Sequence, residues 1–257
     1  MVANQEEPVE PVTGFHRDPL FAGVDLMCHA ALRSIGVDGA AVAVLTGTRR
    51  VRDLIYATDK IAHRLDELQF ILGEGPCLDA VICNGVHLWA DLDALGVQDM
   101  QWPAFATEAL EAGARAVFAF AIPGPQRPLG ALELYRRTAG ALSAEETRCA
   151  TAVAEGVGKL LTNNWSRYRS ATGDTDAAIE TAALTGADTG ADSHPFSRAS
   201  IHVAAGIVAV QLGVSPDEGI DRLRAHCYAS RCSLDAVAAD VIARRLTLDD
   251  HDGDERR

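Results

Sequence analysis

The chain has 257 residues, 48% of them hydrophobic, with 23 lysines and arginines against 36 aspartates and glutamates, for a formal net charge of −13. That length admits one large domain or two ordinary ones with a buried core, which excludes global disorder. The acidic balance excludes coating nucleic acid by bulk electrostatics, and no run of 18 apolar residues offers a membrane span.

The first residues, Met1-Val2-Ala3-Asn4-Gln5-Glu6-Glu7, are acidic where a secretory signal is basic, and no apolar stretch follows, so a cytoplasmic product is expected. Residues 1–19, with Pro8, Pro11 and Pro19, read as a flexible arm. Apolar residues from Phe21 to Ile35 recur at helical spacing and stop at Gly36. Residues 40–45 form an unbroken β-prone run, and 51–57 read as its hairpin partner. Helical character returns over 58–70, and Gly73-Glu74-Gly75-Pro76 breaks it.

A short helix over 77–83 precedes a strand at 86–89, and 103–112 is helical. Strands follow at 116–122 and 130–135, joined too tightly for a crossover, which makes the sheet mostly antiparallel. Ser143-Ala144-Glu145-Glu146 is a capping box opening a long helix through Trp165. Residues 20–170 therefore predict an α+β domain: an antiparallel sheet with helices packed on it.

Composition shifts abruptly over 171–195, where small polar and acidic residues mark a solvated linker. Residues 196–248 predict three short helices, and 249–257 a tail. The first helix ends at Gly213. The second opens with Ser215-Pro216-Asp217-Glu218, and Ser233 caps the third. So small an all-α module gains from dimerising or docking.

Enzymatic patterns are missing, and the expectation is a protein that is not an enzyme. Gly73-x-Gly75 lacks a third glycine and the βαβ context of a dinucleotide site. His226, Cys227 and Cys232 have no second ligand pair to make a zinc site. The six cysteines, at 28, 77, 83, 149, 227 and 232, form no Cys-x-x-Cys pair and read as free thiols of a reducing compartment. Cys77, following a helix start, is open to two readings, an activated thiol or a small packed residue.

The aromatics are read in the same way. Tyr56, Phe70, Trp89, Phe118 and Phe120, with Cys77, either fill the core or line a ligand cavity between sheet and helices. In the C-terminal module every basic residue is arginine: Arg198, Arg222, Arg224, Arg231, Arg244 and Arg245, against Asp217, Glu218, Asp221, Asp235 and Asp240. Arginine grips phosphate bidentately and stacks on bases, which suits structured RNA loops, although the same residues could simply solubilise a small bundle.

Two resemblances sharpen these readings. Ser197-Arg198-Ala199-Ser200-Ile201-His202, Ala205-Gly206-Ile207-Val208-Ala209-Val210-Gln211-Leu212-Gly213-Val214-Ser215, Glu218-Gly219-Ile220, Leu223-Arg224-Ala225-His226 and Leu234-x-x-Val237-Ala238-x-x-Val241 are similar to the ANTAR domain. That resemblance implies a three-helix module of transcription antiterminators that binds paired stem-loops in nascent leader RNA. The RNA-facing residues it implies are Arg198, His202, Gly206, Arg222, Arg224 and Arg231. Two positions depart from the family's habit. Ala205 stands where lysine or a hydroxyl residue is common, and Gly219 stands where alanine is usual, at about 1 kcal/mol of helix propensity.

Upstream, Gly39-x-Ala41-Val42, Tyr56-Ala57-Thr58-Asp59, Leu68-Gln69-Phe70-x-Leu72-Gly73-Glu74-Gly75-Pro76-Cys77-x-Asp79-Ala80 and Trp102-Pro103-x-Phe105 resemble the GAF domains fused to ANTAR in actinobacterial regulators. The resemblance implies a small-molecule or redox sensor, of unspecified ligand, that forms a homodimer. Two rivals belong to other classes. Helices two and three could act as a DNA-binding helix-turn-helix, or the bundle could serve only dimerisation or protein interaction.

Overall fold

The computed structural model describes residues 19–46, 51–94, 101–172, 198–230 and 232–248. The chain divides into two compact units, one of residues 1–44, 54–70 and 74–173, the other of 45–53, 71–73 and 174–257. The arm expected over 1–19, nearly all of the linker expected over 171–195, and the tail over 249–257 lie outside the described residues.

Up to residue 172 the chain runs α1 (Val24–Ile35), β1 (Gly39–Thr46), β2 (Val51–Ala57), α2 (Lys60–Leu72), α3 (Pro76–Cys83), β3 (Val86–Trp89), α4 (Pro103–Glu111), β4 (Ala116–Ile122), β5 (Gly130–Arg136) and α5 (Ala144–Thr172), all but the ends of β1, β2 and α2 in the first unit. The five strands form one sheet in the order β2-β1-β5-β4-β3, with β1–β5, β4–β5 and β3–β4 antiparallel. This is the α+β class that the sequence predicts, an antiparallel sheet covered by helices. The strand order places β5 at the centre, between a hairpin it is far from in sequence and the strand it follows.

Strand alternation then sorts the side chains. Leu88, Phe118, Leu134 and Ala40 stand opposite one another across the sheet and share one face, as do Val86, Phe120, Leu132 and Val42. Helices α1 and α5 cover this face. Arg136 at the end of β5 ties the layers together, donating to the Ile35 carbonyl at 3.2 Å and to Glu146 of α5 at 2.7 Å. The opposite face carries His87, Ala119, Glu133 and Ala41, then Trp89, Val117, Tyr135 and Gly39. There α3 lies close because Cys77 and Ala80 pack on Ala119 and Ala131, small residues on both sides.

The capping box forms as its spacing predicts. The Glu146 amide donates to the Ser143 hydroxyl at 3.1 Å, and the Ser143 amide donates to the Glu146 carboxylate at 2.6 Å.

The second unit holds α6 (Ala199–Leu212), α7 (Pro216–Ser230) and α8 (Leu234–Ile242). Its core joins Ile201, Ala204, Ala205, Val208 and Ala209 of α6 to Ile220, Leu223 and Cys227 of α7 and Leu234, Val237, Ala238 and Val241 of α8. Ser215 and Ser233 cap α7 and α8, their hydroxyls accepting from Glu218 and Ala236 amides at 3.2 Å each.

Candidate functional sites

The first candidate is the sheet face under α2, α3 and α4. Its centre is a buried carboxylate, Glu133, in the middle of the central strand. The Gln69 side-chain amide donates to both Glu133 oxygens, at 2.9 and 3.0 Å, and its carbonyl accepts the Cys77 amide at 2.8 Å. One glutamine therefore bridges α2, β5 and the start of α3. Gly75 makes the bridge possible: its φ of 138° suits glycine alone, and a Cβ there would collide with the Gln69 side chain.

The rest of the glycine-rich segment is used in the same way. Glu74 accepts the Phe105 amide at 2.9 Å, satisfying an orphan donor in the first turn of α4. Asp79 accepts from the Trp102 indole at 2.9 Å and from Gln101 at 2.6 Å. Trp102 in turn packs against Trp89 and His87, with ring centroids 5.1 and 5.9 Å apart. Asp59 caps α2 through the Ile61 and Ala62 amides and accepts the Tyr135 hydroxyl at 3.0 Å. Burial, then the Asp59 charge, raises the Tyr135 phenol well above its ordinary range.

The six residues expected to line a ligand cavity are not brought together. Phe118 and Phe120 point to the α1–α5 face, and Tyr56 reaches α1, its hydroxyl 3.0 Å from His29 Nε2. Burial, followed by Cys28 and Asp25, pushes the Tyr56 phenol up to about 12. Cys77 and Trp89 belong to the opposite face, and Phe70 is buried on α2 beside Gln69. The physical reason is strand period: β4 residues of even number face α5, whereas Trp89 of β3 faces α4. Of the six, Trp89 alone is half-buried, and the other five lie in the core. Cys77 is the small packed thiol of the two readings offered for it, 1% exposed among alanines.

Gln69 and Glu133 carry more of this face than the sequence reading assigned to them. The signal lay in Gly130-Ala131-Leu132-Glu133-Leu134-Tyr135, where a carboxylate interrupts an apolar strand that both flanking patterns mark as buried.

The second candidate is the surface of the helical module. Arg198, His202 and Gly206 recur every four residues and so form one line along α6, all three half-buried. A Cβ on Gly206 would meet nothing within 4 Å, so no neighbour in the chain requires a glycine there. Arg222 and Arg224, two residues apart, point to different sides of α7. Arg222 is exposed with its guanidinium 3.8 Å from Glu218, and Arg224 donates to Asp221 at 2.9 Å. Arg231 lies outside the described residues. Tyr228, 84% exposed on α7, is a surface aromatic that the apolar periodicity did not single out.

Both departures from the ANTAR pattern meet inside the module. Ala205 is buried, and a Cβ on Gly219 would collide with the Ala205 carbonyl. The glycine therefore lets α7 lie directly against the α6 backbone, which offsets its poor helix propensity.

A family model for the ANTAR domain matches residues 196–242. No curated protein matches the chain. Among solved structures, the chain is similar to the GAF domain of a phosphoenolpyruvate-protein phosphotransferase from Coxiella burnetii at 14% identity, over 61% of this chain and 90% of that one, with a TM-score of 0.46. It is also similar to a GAF domain/HD domain protein from Geobacter sulfurreducens, at 14% identity, over 56% and 95%, with a TM-score of 0.42. A free methionine-R-sulfoxide reductase from Neisseria meningitidis is similar at 12% identity, over 60% and 84%, with a TM-score of 0.42. No helix among the described residues is long and apolar enough to cross a membrane. The chain thus joins a sheet-and-helix domain to a three-helix module, and the ANTAR domain model matches the latter over residues 196–242.

Proposed function

We propose that this regulatory chain is a transcription antiterminator whose ANTAR domain binds paired stem-loops in a nascent leader RNA and whose GAF-like domain responds to a small molecule or redox signal. The observation that carries the reading is the ANTAR match over residues 196–242. The RNA-facing groups are the line Arg198–His202–Gly206 on α6, together with Arg222, Arg224 and Arg231. In a homodimer two such modules engage two hairpins, and the second contact gains effective concentration from the first. The ligand-responsive part of the GAF-like domain is the half-buried end of the α4 face, at Trp89.

The test is binding of the full-length protein to a two-hairpin leader RNA, with one-hairpin RNA and duplex DNA as competitors, across a salt series. Expected is a preference for two hairpins that weakens linearly with the logarithm of salt concentration, as phosphate contacts require. Equal or better competition by duplex DNA would replace RNA with DNA as the target. A folded dimer that binds neither would leave the helical module a dimerisation element.

A further inference from the structure

The end of α7 brings two cysteines together, the Cys232 thiol lying 3.5 Å from the Ser230 carbonyl. Cys227 lies in its last turns and is buried, and Cys232 follows the helix and is exposed. The Cys232 amide donates to the Cys227 carbonyl at 3.3 Å, a bond from residue i+5 back to i. This is the hydrogen bond of a Schellman ending, in which the side chains at its two ends habitually touch. The Cys227 thiol confirms the proximity, donating to the Cys232 carbonyl at 2.5 Å. The other four cysteines occupy other settings in the first unit: Cys28 and Cys77 are buried in the core, Cys83 is exposed at the end of α3, and Cys149 bonds Ser34 from α5.

We propose that Cys227 and Cys232 form a peroxide-oxidisable dithiol that closes to a disulfide across the end of α7. Exposure decides the order of events. The Cys232 sulfur attacks a peroxide oxygen, the O–O bond breaks, and with hydrogen peroxide the sulfenic acid forms with release of one water. Cys227 then attacks the Cys232 sulfur. The S–S bond forms as the S–O bond breaks, and the departing hydroxide takes the Cys227 proton as a second water. Two thiols are oxidised by two electrons and one peroxide is reduced. Burial, then Cys232 and Asp235, raise the Cys227 thiol above its ordinary range, which suits a resolving rather than an attacking role.

The bridge would end one residue before Ser233, the cap of α8. Oxidation therefore fixes the corner between α7 and α8. The consequence for RNA affinity rests on the reading proposed above, and the chemistry of the bridge does not.

The experiment treats the reduced full-length protein with one equivalent of hydrogen peroxide, blocks free thiols and digests with trypsin. Cleavage after Arg224, Arg231 and Arg244 leaves Cys227 and Cys232 on separate peptides, residues 225–231 and 232–244. Expected is a covalent pair of these peptides that dithiothreitol separates. It should be absent in Cys232→Ser and kept in Cys83→Ser and Cys149→Ser. Cys232 recovered as sulfenic or sulfinic acid with Cys227 still free, or joined to Cys83 or Cys149 instead, would overturn the proposal.

A second readout compares affinity for the two-hairpin RNA before and after peroxide. A change of about threefold or more in the wild type, lost in Cys232→Ser, supports coupling of the bridge to binding. A bridge that forms with no change in affinity removes the coupling. Absence of RNA binding in both states refutes the RNA reading and leaves the peptide result standing.

Discussion

The two units of this chain use polar side chains in opposite ways. In the sheet-and-helix unit, the polar residues of the glycine-rich segment turn inward: Gln69 joins Glu133 to the Cys77 amide, Glu74 caps α4, and Asp79 holds Trp102. In the ANTAR module the core is apolar, α6 and α7 touch through Ala205 and Gly219, and the arginines and their carboxylate partners stay at the surface. The difference follows from size. A five-stranded sheet with helices on both faces has an interior deep enough to bury a polar network, whose satisfied bonds specify one arrangement. Three short helices have little interior, and each polar group buried there would cost more than the module could offset.

The largest expected effect separates the units directly. Gln69→Ala leaves a buried carboxylate without its amide and removes the acceptor of the Cys77 N–H, so the sheet-and-helix unit should lose about 3 kcal/mol in urea denaturation. The paired change Gln69→Leu with Glu133→Leu should recover much of that loss, because both partners leave together. If the single variant is as stable as the wild type, the network is ornamental and the contrast fails.

In the module the decisive change is Gly219→Ala. Helix propensity alone predicts a gain of about 1 kcal/mol, whereas the collision with the Ala205 carbonyl predicts a net loss of about 1–2 kcal/mol. The sign of the shift in thermal midpoint decides between local preference and packing. Arg224→Ala removes the ion pair with exposed Asp221, and folding should hold while RNA affinity falls by about tenfold. A variant that unfolds, or that binds RNA as well as before, removes Arg224 from the RNA surface.

The smallest effect concerns the cap of α5. Ser143→Ala should cost about 1 kcal/mol. Hydrogen bonds from Ser143 and then Arg136 hold the Glu146 carboxyl below its ordinary value of 4.5. A lowered value in the folded state means that its stabilisation is present above pH 4.5 and is lost as the pH falls below it. Glu146→Gln should therefore be less stable than the wild type at neutral pH, the gap closing in acid. The Arg136–Glu146 pair is only partly buried, and added salt should shrink the same gap.

Much of the architecture was legible along the chain. Nearly every helix and strand before residue 173 begins and ends within a few residues of its expected bounds, because Gly36, Gly73, Gly113 and the capping serines punctuate the periodicity locally, whereas α5 runs on past Trp165 to Thr172. The resemblance to the ANTAR domain was likewise carried by the chain's own residues, and the family model matches them over 196–242. The line Arg198–His202–Gly206 needed only the helical period to be seen as one edge.

What the sequence by itself determined is thus whatever depends on neighbours a few residues away: caps, turns and the period of each element. Only the tertiary structure decided that β5 lies between β1 and β4, which turns Phe118 and Phe120 away from Trp89 and so splits the expected cavity residues between two faces. Only it paired Gln69 with Glu133, 64 residues on, and set Gly219 against Ala205. Those contacts depend on which elements meet in space, and a periodic pattern states which face of an element is apolar without stating what that face will touch.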